Sequence, residues 1–326
     1  MRVLIVGAGA IGGYFGGRLL AAGRDVAFLV RPRRAAELAK NGLVIDSPVG
    51  NLTVPSPPTV LAGKIERPFD LILLSCKAYD LAAAADSFAA AVGSATMILP
   101  LLNGMKHLDV LSERFGRSHV LGGNCVIAVT RDPQGNIVHL NHDQTLSFGE
   151  LSGELTGRIR RVHEQLDNAG FEACLSEQIV QSMWNKWVFL ATLAGITCLM
   201  RASIGDIVAS SGGKQSITTL LEECRAIAES QGCAPERAVL DRALKTLTAE
   251  GSSLTASMLR DLESNAPVEA DHIVGDLLQR RPAATGNQGG GCLLSTAYTH
   301  LKAYESRRAK SAQRAQPGEQ LQRVRP

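Results

Sequence analysis

The chain opens with a glycine pattern that constrains its fold more than any other feature, Gly7-Ala8-Gly9-Ala10-Ile11-Gly12. It follows a continuous apolar run, Val3 to Val6, which is typical of a central parallel strand covered on both faces. A helix is predicted from the pattern to about Gly23, and a second strand from Asp25 to Arg31. Strand, glycine turn and helix together predict a βαβ unit that binds a dinucleotide, rather than a Gly-rich structural turn.

Each glycine of this pattern has its own predicted task. Gly7 makes the tight turn, Gly9 lets the backbone approach a pyrophosphate, and Gly12 lets the helix pack close to the strand. Ala10 and Ile11 open the helix, whose free backbone N–H groups are expected to face the phosphates. The predicted cofactor contacts are therefore made by backbone over residues 7–12.

The end of the second predicted strand indicates which dinucleotide is bound. No acidic residue stands there to hold the ribose 2′-hydroxyl of NAD, because Asp25 begins the strand and Glu37 comes well after it. Arg31, with Arg33 or Arg34 nearby, instead offers planar donors to a 2′-phosphate. The pattern favours NADP(H) as the cofactor over the alternative of an exposed basic turn.

Two further buried strands are predicted in the first half, and each ends in polar residues. The run from Leu71 to Ser75 ends at Cys76-Lys77, and a second run ends at Asn103-Gly104-Met105. Ligands of open α/β sheets bind beyond the carboxyl ends of the strands. Lys77 and Asn103 are therefore candidate site residues, with a turn lysine and a helix-capping asparagine as the alternatives.

Local patterns extend this organisation along the chain. Residues 42–55 and 126–150 alternate and contain Pro-Gly and Gly-Asn turns, which predict two hairpins, the second at a sheet edge. Residues 170–177 predict a last strand, and from about residue 178 the pattern is helical. We expect a domain boundary at 176, a helical domain over 177–305, and a substrate site in a cleft between the domains.

A single cation introduces the longest apolar run of the chain. Between Trp187 and Met200 the only polar side chains are Thr192 and Thr197, and Lys186 stands directly before the run. One interpretation is a surface lysine whose alkyl stem covers apolar neighbours. The other is a lysine that acts in catalysis through its proton. The run is shorter than the roughly 20 residues of a membrane span.

A third candidate group lies in the segment 253–281. Ser257 and Glu269 would be roughly 18 Å apart along a straight helix, too far to share a small substrate. Pro267 suits the first turn of a helix, with Ser264 or Asn265 as its cap, so we predict a break at 264–267 that turns the two residues toward a common point. Glu269 then falls in the first turn of the new helix. The alternative is an ordinary capping-region glutamate and helix serine.

Charge and cysteine usage exclude several classes of function. The net charge of +3 comes from residues 306–326, which carry six Arg or Lys and one acid and are expected to form a disordered basic tail; the rest of the chain, at −2, has no basic face for nucleic acid. Seven scattered cysteines without a C-x-x-C pair indicate reduced thiols, and no metal-ligand spacing occurs. Without a signal peptide or membrane span, a cytoplasmic protein is expected.

Five of these segments, in order and at matching spacing, resemble the ketopantoate reductase (2-dehydropantoate 2-reductase) family. They are "GAGAIGGYFGGRL", "CKAYD", "LLNGM", "WNKWVF" and "SMLRD…VEADHIVG", and together they cover about residues 1–280. The resemblance implies a Rossmann-type N-terminal domain with a mostly parallel sheet, an all-helical C-terminal domain and NADPH bound between them. It also implies NADPH-dependent reduction of 2-dehydropantoate to pantoate, as in pantothenate biosynthesis.

The resemblance also implies roles for individual residues. Lys186 is the general acid, Glu269 a second catalytic or substrate-anchoring group, and Asn103 and Ser257 contact substrate. Further cofactor contacts implied by the resemblance come from Lys77 and Asn103, and from Arg31 at the 2′-phosphate. In this chemistry a lysinium stabilises the developing oxyanion and protonates it.

Two departures from the family pattern leave the substrate open. Leu190 and Ala194 stand where the family usually has substrate-binding asparagines, so a more apolar 2-oxo acid, or another carbonyl compound, is an alternative substrate. A non-catalytic NADPH-binding protein is a further alternative. The Gly-rich segment 286–291 replaces a short family loop and is expected to be mobile. An exposed helical face in the second half would allow a homodimer.

Overall fold

The computed structural model describes residues 1–282 and 292–314, and the chain divides into two units, Met1–Met183 and Trp184–Pro326. The elements that begin in the first unit are β1 (Arg2–Val6), α1 (Ala10–Ala21), β2 (Asp25–Leu29), α2 (Pro32–Asn41), β3 (Leu43–Asp46), β4 (Leu52–Val54), β5 (Thr59–Val60), β6 (Leu71–Leu74), α3 (Leu81–Phe88), β7 (Met97–Pro100), α4 (Lys106–Phe115), β8 (Leu121–Arg131), β9 (Ile137–Glu150), α5 (Gly157–Leu166), β10 (Glu172–Leu175) and α6 (Ile179–Met200).

The first sheet of this unit is wholly parallel and has β1 at its centre. Its strand order is β5-β2-β1-β6-β7, with Val3 paired to Val26 on one side and to Leu71 on the other. Val3, Leu4 and Ile5 are fully buried, as expected for a strand covered on both faces. The predicted Rossmann-type α/β fold is confirmed by this sheet and by the helices that connect its strands.

The predicted hairpins build a second sheet. Its order is β10-β9-β3-β4, with β8 paired to β9 along most of its length. The β3–β4 and β8–β9 pairs are antiparallel, as the turn residues predict, and β9 pairs in parallel with both β3 and β10. The long β9 strand therefore joins elements that are far apart in sequence.

Helix α1 lies between the two sheets, and its glycines allow the close approach. A Cβ atom at Gly16 would lie 2.5 Å from the Phe28 ring on the first sheet. A Cβ atom at Gly13 would lie 2.4 Å from Ile137 Cδ1 on the second sheet. Tyr14 and Phe15, between these glycines, are fully buried. The "GGYFGG" segment therefore packs on both of its sides, and this fixes the N-terminus of α1.

The second unit is helical throughout its described part. After the shared helix α6 it contains α7 (Ile204–Ala209), α8 (Gly213–Ser230), α9 (Arg237–Leu247), α10 (Ser257–Glu263), a π-helical turn (Asp271–Gly275), α11 (Asp276–Gln279) and α12 (Leu293–Arg314). Its core is aliphatic, with fully buried Ile217, Leu220, Cys224 and Leu277 among its members. The predicted all-helical second half is confirmed.

The division between the units falls later than the predicted boundary at 176. Met183 ends the first unit and Trp184 begins the second, so the boundary lies inside α6. The first turn of α6 belongs to the first unit because Ile179 packs against Gly122 and Gly149, where an added Cβ would lie 2.8 Å and 3.1 Å from its side chain. The change of sequence pattern at residue 178 therefore marks the start of a helix, not the end of a packing unit.

The predicted disordered tail is wrong for residues 306–314, which continue helix α12. Tyr304 is buried, and its hydroxyl donates to the carbonyl of Ala266 at 2.8 Å. Arg308 Nε donates to the carbonyl of Asn265 at 2.9 Å. These main-chain contacts hold a basic stretch whose composition alone indicates disorder. Residues 315–326 and the Gly-rich segment 286–291 lie outside the described residues.

The predicted helix break at 264–267 is confirmed, but its capping residues act differently. Asn265 has φ 55° and ends α10, because the N–H of Ala266 bonds to the Asp261 carbonyl at 2.8 Å. Pro267 lies in the non-helical segment 266–269 that follows. Glu269 is the last residue of this segment and directly precedes the next helical residue, Ala270. Asparagine tolerates this left-handed conformation, so it terminates the first helix instead of capping the second.

One helix in the described part of the chain has the length and composition of a membrane span. This is α6, which has 22 residues. An 18-residue window of this helix has a mean hydropathy of 1.2, and 67% of that window is buried inside the protein. Core helices of globular proteins have the same properties. We interpret α6 as a core helix because Trp187, Ala191 and Ile196 are almost fully enclosed by protein.

Candidate active site

The three glycines of the N-terminal motif have the geometry that the sequence predicts. Gly7 has φ +94°, a conformation that L side chains rarely adopt. A Cβ at Gly12 would lie 2.2 Å from the Gly7 carbonyl oxygen and 2.2 Å from Ser75 Oγ. A Cβ at Gly9, in contrast, would meet nothing within 4 Å. Backbone conformation therefore explains Gly7 and close packing explains Gly12, whereas the space at Gly9 fits a bound group.

The N-terminus of α1 can bind an anion. Gly9 is the N-cap residue, and in this fully described helix no side chain caps the N-terminus and no acid occurs in the first turn. The first backbone bond of the helix runs from the Gly13 N–H to the Gly9 carbonyl, so the N–H groups of Ala10 and Ile11 have no partner within the helix. This arrangement fits the pyrophosphate of a dinucleotide.

Ser75 is a structural member of this motif that sequence reasoning missed. It follows β6, and its hydroxyl donates to the carbonyls of Val6 at 3.2 Å and Gly7 at 3.4 Å. These bonds join the end of β6 to the turn that precedes α1. The only sequence signal was its place at the end of an apolar strand, which is too general to identify a main-chain contact.

Three arginines follow β2, and the structure separates their tasks. Arg34 is almost enclosed: it donates to the carbonyls of Ala8 at 3.1 Å and Gly135 at 3.2 Å, and burial lowers its pKa. Arg33 is exposed and pairs with Glu37 at 3.5 Å. Arg31 is also exposed, and its guanidinium donates to Asp80 Oδ1 at 3.1 Å. Arg34 therefore supports the glycine turn, which leaves Arg31 and Arg33 as the accessible cations.

Lys77 and Asn103 leave the parallel sheet at the same edge as the glycine turn. Leu74 pairs with Val6 and with Pro100, so β1, β6 and β7 end side by side. Lys77 and Asn103 each follow their strand end closely and are half-buried. Carboxyl ends of neighbouring parallel strands are where ligands of open sheets bind. The structure therefore brings these two candidates and the glycine motif to one edge.

The Asn103 side chain does not cap the helix that follows it. The N-cap of α4 is Met105, and Gly104, with φ +80°, separates the two residues. Among the described residues, the Asn103 amide makes no hydrogen bond, although the residue is half-buried. The predicted alternative, a helix-capping asparagine, is therefore wrong, and the amide can serve a ligand.

The second unit contains the remaining candidates, beginning with Lys186 on α6. Lys186 is half-buried and lies between the buried residues Trp184 and Trp187. Leu190 and Ala194 follow it at helical spacing, the first half-buried and the second only 2% exposed. The face that begins at Lys186 therefore becomes apolar and enclosed toward the C-terminus of the helix.

Glu269 and Ser257 occupy different environments in this unit. Glu269 is 7% exposed, and its carbonyl accepts the Ile273 N–H at 3.0 Å. A buried carboxylate requires hydrogen-bonded or charged surroundings, which is common at functional sites. Ser257 begins α10 and is exposed. The predicted convergence of these two residues stays a prediction.

Two buried cysteines, Cys198 and Cys224, are unsuited to nucleophilic catalysis. All seven lie in the described residues as free thiols. Burial raises the pKa of Cys198 and of Cys224 to about 12, so neither is a thiolate at neutral pH. In residues 1–282 and 292–314, no group of three or more His, Cys, Asp and Glu residues could hold a metal ion.

A parallel-sheet unit with a glycine turn at its N-terminal helix, followed by a helical unit, is the architecture of a two-domain dinucleotide-binding protein. Two family models agree: "Ketopantoate reductase PanE/ApbA" matches residues 3–153, and "Ketopantoate reductase PanE/ApbA C terminal" matches residues 178–304. The chain belongs to the ketopantoate reductase family, as the resemblance of its motifs predicts.

Individual relatives support the family and its fold. The uncharacterized oxidoreductase YkpB of Bacillus subtilis is 36% identical over 306 residues, which cover 94% of this chain and 99% of the relative. The 2-dehydropantoate 2-reductase of Geobacter metallireducens has a solved structure that is 27% identical, with a TM-score of 0.83 and coverage of 93% and 99%. A D-mandelate dehydrogenase solved with NADH and anilino(oxo)acetate shares the fold, with a TM-score of 0.83, 19% identity and coverage of 95% and 100%.

Proposed function

We propose that the protein catalyses NADPH-dependent reduction of a 2-oxo acid to a 2-hydroxy acid, with 2-dehydropantoate as substrate and pantoate as product. The observation that carries this proposal is Lys186, half-buried on the apolar helix α6 of a chain that both family models match. The reduced, free thiols support a cytoplasmic location, where pantothenate biosynthesis would use the product.

In the proposed reaction, Lys186 is the general acid. The reduced nicotinamide, when bound, supplies the hydride that adds to the carbonyl carbon. As the carbonyl oxygen gains negative charge, the Lys186 ammonium stabilises it and donates a proton from Nζ. Glu269 acts as a second catalytic or substrate-anchoring group. Asn103 and Ser257 donate hydrogen bonds that orient the 2-oxo acid.

The residues at the sheet edge are proposed to hold the dinucleotide. The backbone over Gly7, Gly9, Ala10, Ile11 and Gly12 would bind the pyrophosphate, since the space at Gly9 and the uncapped start of α1 fit it. Lys77 and Asn103 would contact the nicotinamide half. Arg31 would bind the 2′-phosphate, which would compete with Asp80 for its guanidinium.

The cofactor preference is tested by replacing Arg31. We expect Arg31→Ala to raise the KM for NADPH about 10- to 100-fold, because one or two charge-assisted hydrogen bonds to the 2′-phosphate are lost. The KM for NADH should stay within about two-fold, because NADH has no 2′-phosphate. Steady-state kinetics with both cofactors measure this change.

Arg33→Ala is the matched control for this substitution. Arg33 is exposed like Arg31, and its replacement by alanine removes the same charge. Unlike Arg31, it pairs with Glu37 on its own helix. We expect its NADPH kinetics to match those of the wild type. Equal losses in the two variants would show that only net charge matters, and would contradict a phosphate contact at Arg31.

A second candidate substrate is a 2-oxo acid with an apolar side chain. Leu190 and Ala194 offer no hydrogen bond to a substrate hydroxyl, and an apolar lining favours an apolar side chain. A neighbour in fold is a D-mandelate dehydrogenase, whose name indicates an aromatic substrate. The two candidate substrates differ in whether the protein must bind a substrate hydroxyl group.

One pair of substrates separates the candidates. 2-Dehydropantoate and 3,3-dimethyl-2-oxobutanoate differ by a single hydroxyl group, and NADPH oxidation reports the reduction of either. If 2-dehydropantoate is the substrate, its kcat/KM should exceed that of the analogue by about 100-fold or more. A ratio near or below one would favour the apolar candidate, and Leu190→Asn should then raise the ratio. Reduction of neither compound would contradict the proposal.

A further inference from the structure

Trp187, the neighbour of Lys186 on α6, makes a buried hydrogen bond to the main chain. Its indole Nε1–H donates to the carbonyl oxygen of Ile273 at 2.8 Å, and the side chain is 1% exposed. A buried indole N–H usually has a hydrogen-bond partner. Here it is a backbone carbonyl in the segment that begins with Glu269.

The same peptide segment is bonded to Glu269. The N–H of Ile273 donates to the Glu269 carbonyl at 3.0 Å, while the Ile273 carbonyl accepts the indole proton at 2.8 Å. Two hydrogen bonds in series therefore join the residue beside Lys186 to the main chain of the buried carboxylate. Ile273 lies in the π-helical turn Asp271–Gly275, and single π turns inside helices occur frequently at functional sites.

The indole ring is held from other directions as well. The Trp184 ring lies 4.8 Å from it between centroids, and the Arg280 guanidinium lies 5.7 Å from its centroid, within cation–π range. Arg280 is itself fixed, because its Nε donates to the buried carboxylate of Asp276 at 3.2 Å. Because these groups hold the ring, its hydrogen bond to Ile273 can fix the position of the π-helical turn relative to α6.

We propose that Trp187 is a positioning residue that holds Glu269 in register with Lys186 through the Ile273 peptide. This inference rests on the proposed function, in which both residues act on the 2-oxo acid. Loss of the indole N–H leaves the ring shape but releases the Ile273 carbonyl, and the Glu269 backbone then shifts with the π-helical turn. A displacement of about 1 Å between catalytic groups can lower the rate roughly 100-fold.

The test compares Trp187→Phe with Trp184→Phe. Both replace a buried tryptophan of the same helix by phenylalanine, but the Trp184 indole makes no hydrogen bond in the described part of the chain. For Trp187→Phe we expect kcat to fall about 10- to 100-fold, with the dissociation constant for NADPH within about two-fold. The primary isotope effect on kcat with 4-deuterated NADPH should rise, because the chemical step becomes slower. Trp184→Phe keeps an aromatic ring beside the Trp187 indole and leaves the hydrogen bond to Ile273 in place, so its kcat and isotope effect should change much less than those of Trp187→Phe.

A second replacement separates positioning from a loss of folding. Trp187 replaced by 3-benzothienylalanine keeps the size and shape of the indole but lacks the N–H, and it should reproduce the fall in kcat with an unchanged thermal midpoint. A wild-type kcat in this protein, or equal losses in Trp184→Phe and Trp187→Phe, would overturn the inference. The proposed function is judged separately, by wild-type turnover and its loss in Lys186→Ala.

Discussion

Lys186→Ala is expected to lower kcat for reduction of the 2-oxo acid by about 10²- to 10⁴-fold, which corresponds to roughly 2.7–5.4 kcal/mol of transition-state stabilisation. The reason is that the variant loses both the positive charge beside the developing oxyanion and the proton that neutralises it. The dissociation constant for NADPH should change little, because the proposed cofactor contacts come from the glycine motif, Arg31, Lys77 and Asn103. Stopped-flow kinetics and fluorescence titration measure the two quantities.

Two companion variants separate the roles of charge and proton. Lys186→Arg keeps a positive charge, but a guanidinium does not release its proton, so we expect its kcat to stay within about ten-fold of that of Lys186→Ala. Lys214→Ala removes an exposed lysine from the first turn of α8 and should leave kcat unchanged. If Lys186→Ala keeps wild-type turnover, Lys186 is only a surface lysine with a buried stem. If the wild type itself shows no turnover, the non-catalytic alternative is favoured.

Gly9→Ala is expected to weaken NADPH binding by about 100-fold or more while the protein stays folded. A Cβ at this position would meet no protein atom within 4 Å, so the fold should tolerate it. The same Cβ would occupy space where the backbone must approach the pyrophosphate. Titration calorimetry with NADPH and thermal unfolding without it measure the two effects.

Two other glycines provide the controls for this substitution. Gly157 begins α5 and has only an ordinary contact, Arg161 Nη1 at 3.8 Å, so Gly157→Ala should change neither NADPH binding nor stability. Gly12→Ala should instead lower the thermal midpoint, because its Cβ would lie 2.2 Å from the Gly7 carbonyl oxygen. Unchanged NADPH binding in Gly9→Ala would contradict a pyrophosphate site at this turn.

The N-terminal motif was predictable because its physics is local. The φ of Gly7, the close packing at Gly12 and the space at Gly9 all follow from the spacing of the glycines after a buried strand. The second sheet was only partly predictable. Its hairpins have local turn signals. The parallel pairs of β9 with β3 and β10 join strands that are distant in sequence, and no local pattern predicts which of them pair.

Main-chain contacts explain where the sequence misled. Composition predicts disorder after residue 305, yet Arg308 and Tyr304 bond to the carbonyls of Asn265 and Ala266 and keep α12 helical to Arg314. The first turn of α6 packs on the first unit through the side chain of Ile179, a contact that the change of pattern at residue 178 does not indicate. A backbone carbonyl leaves no trace in a sequence, so its partners cannot be found from residue types.

The candidate site shows the same limit. The sequence indicates Lys186, Glu269, Asn103 and Ser257 through their neighbours and through the family resemblance. The supporting residues Ser75, Asp80 and Trp187 were not predicted, since two of them bind carbonyls and the third pairs with an arginine distant in sequence. Residues that act on substrate have recognisable chemistry, whereas residues that position them depend on the folded geometry.

The most direct measurement of the central claim is deuterium transfer during turnover with 4-deuterated NADPH. Mass spectrometry of the 2-hydroxy acid formed by the wild type should find one deuterium at C2, from only one of the two C4-labelled forms of the cofactor. The same assay with Lys186→Ala should yield labelled product at a rate lower by about 10²-fold or more. Unlabelled hydroxy acid from both C4-labelled forms, or NADPH oxidation without any hydroxy acid, would contradict reduction of the 2-oxo acid by this protein.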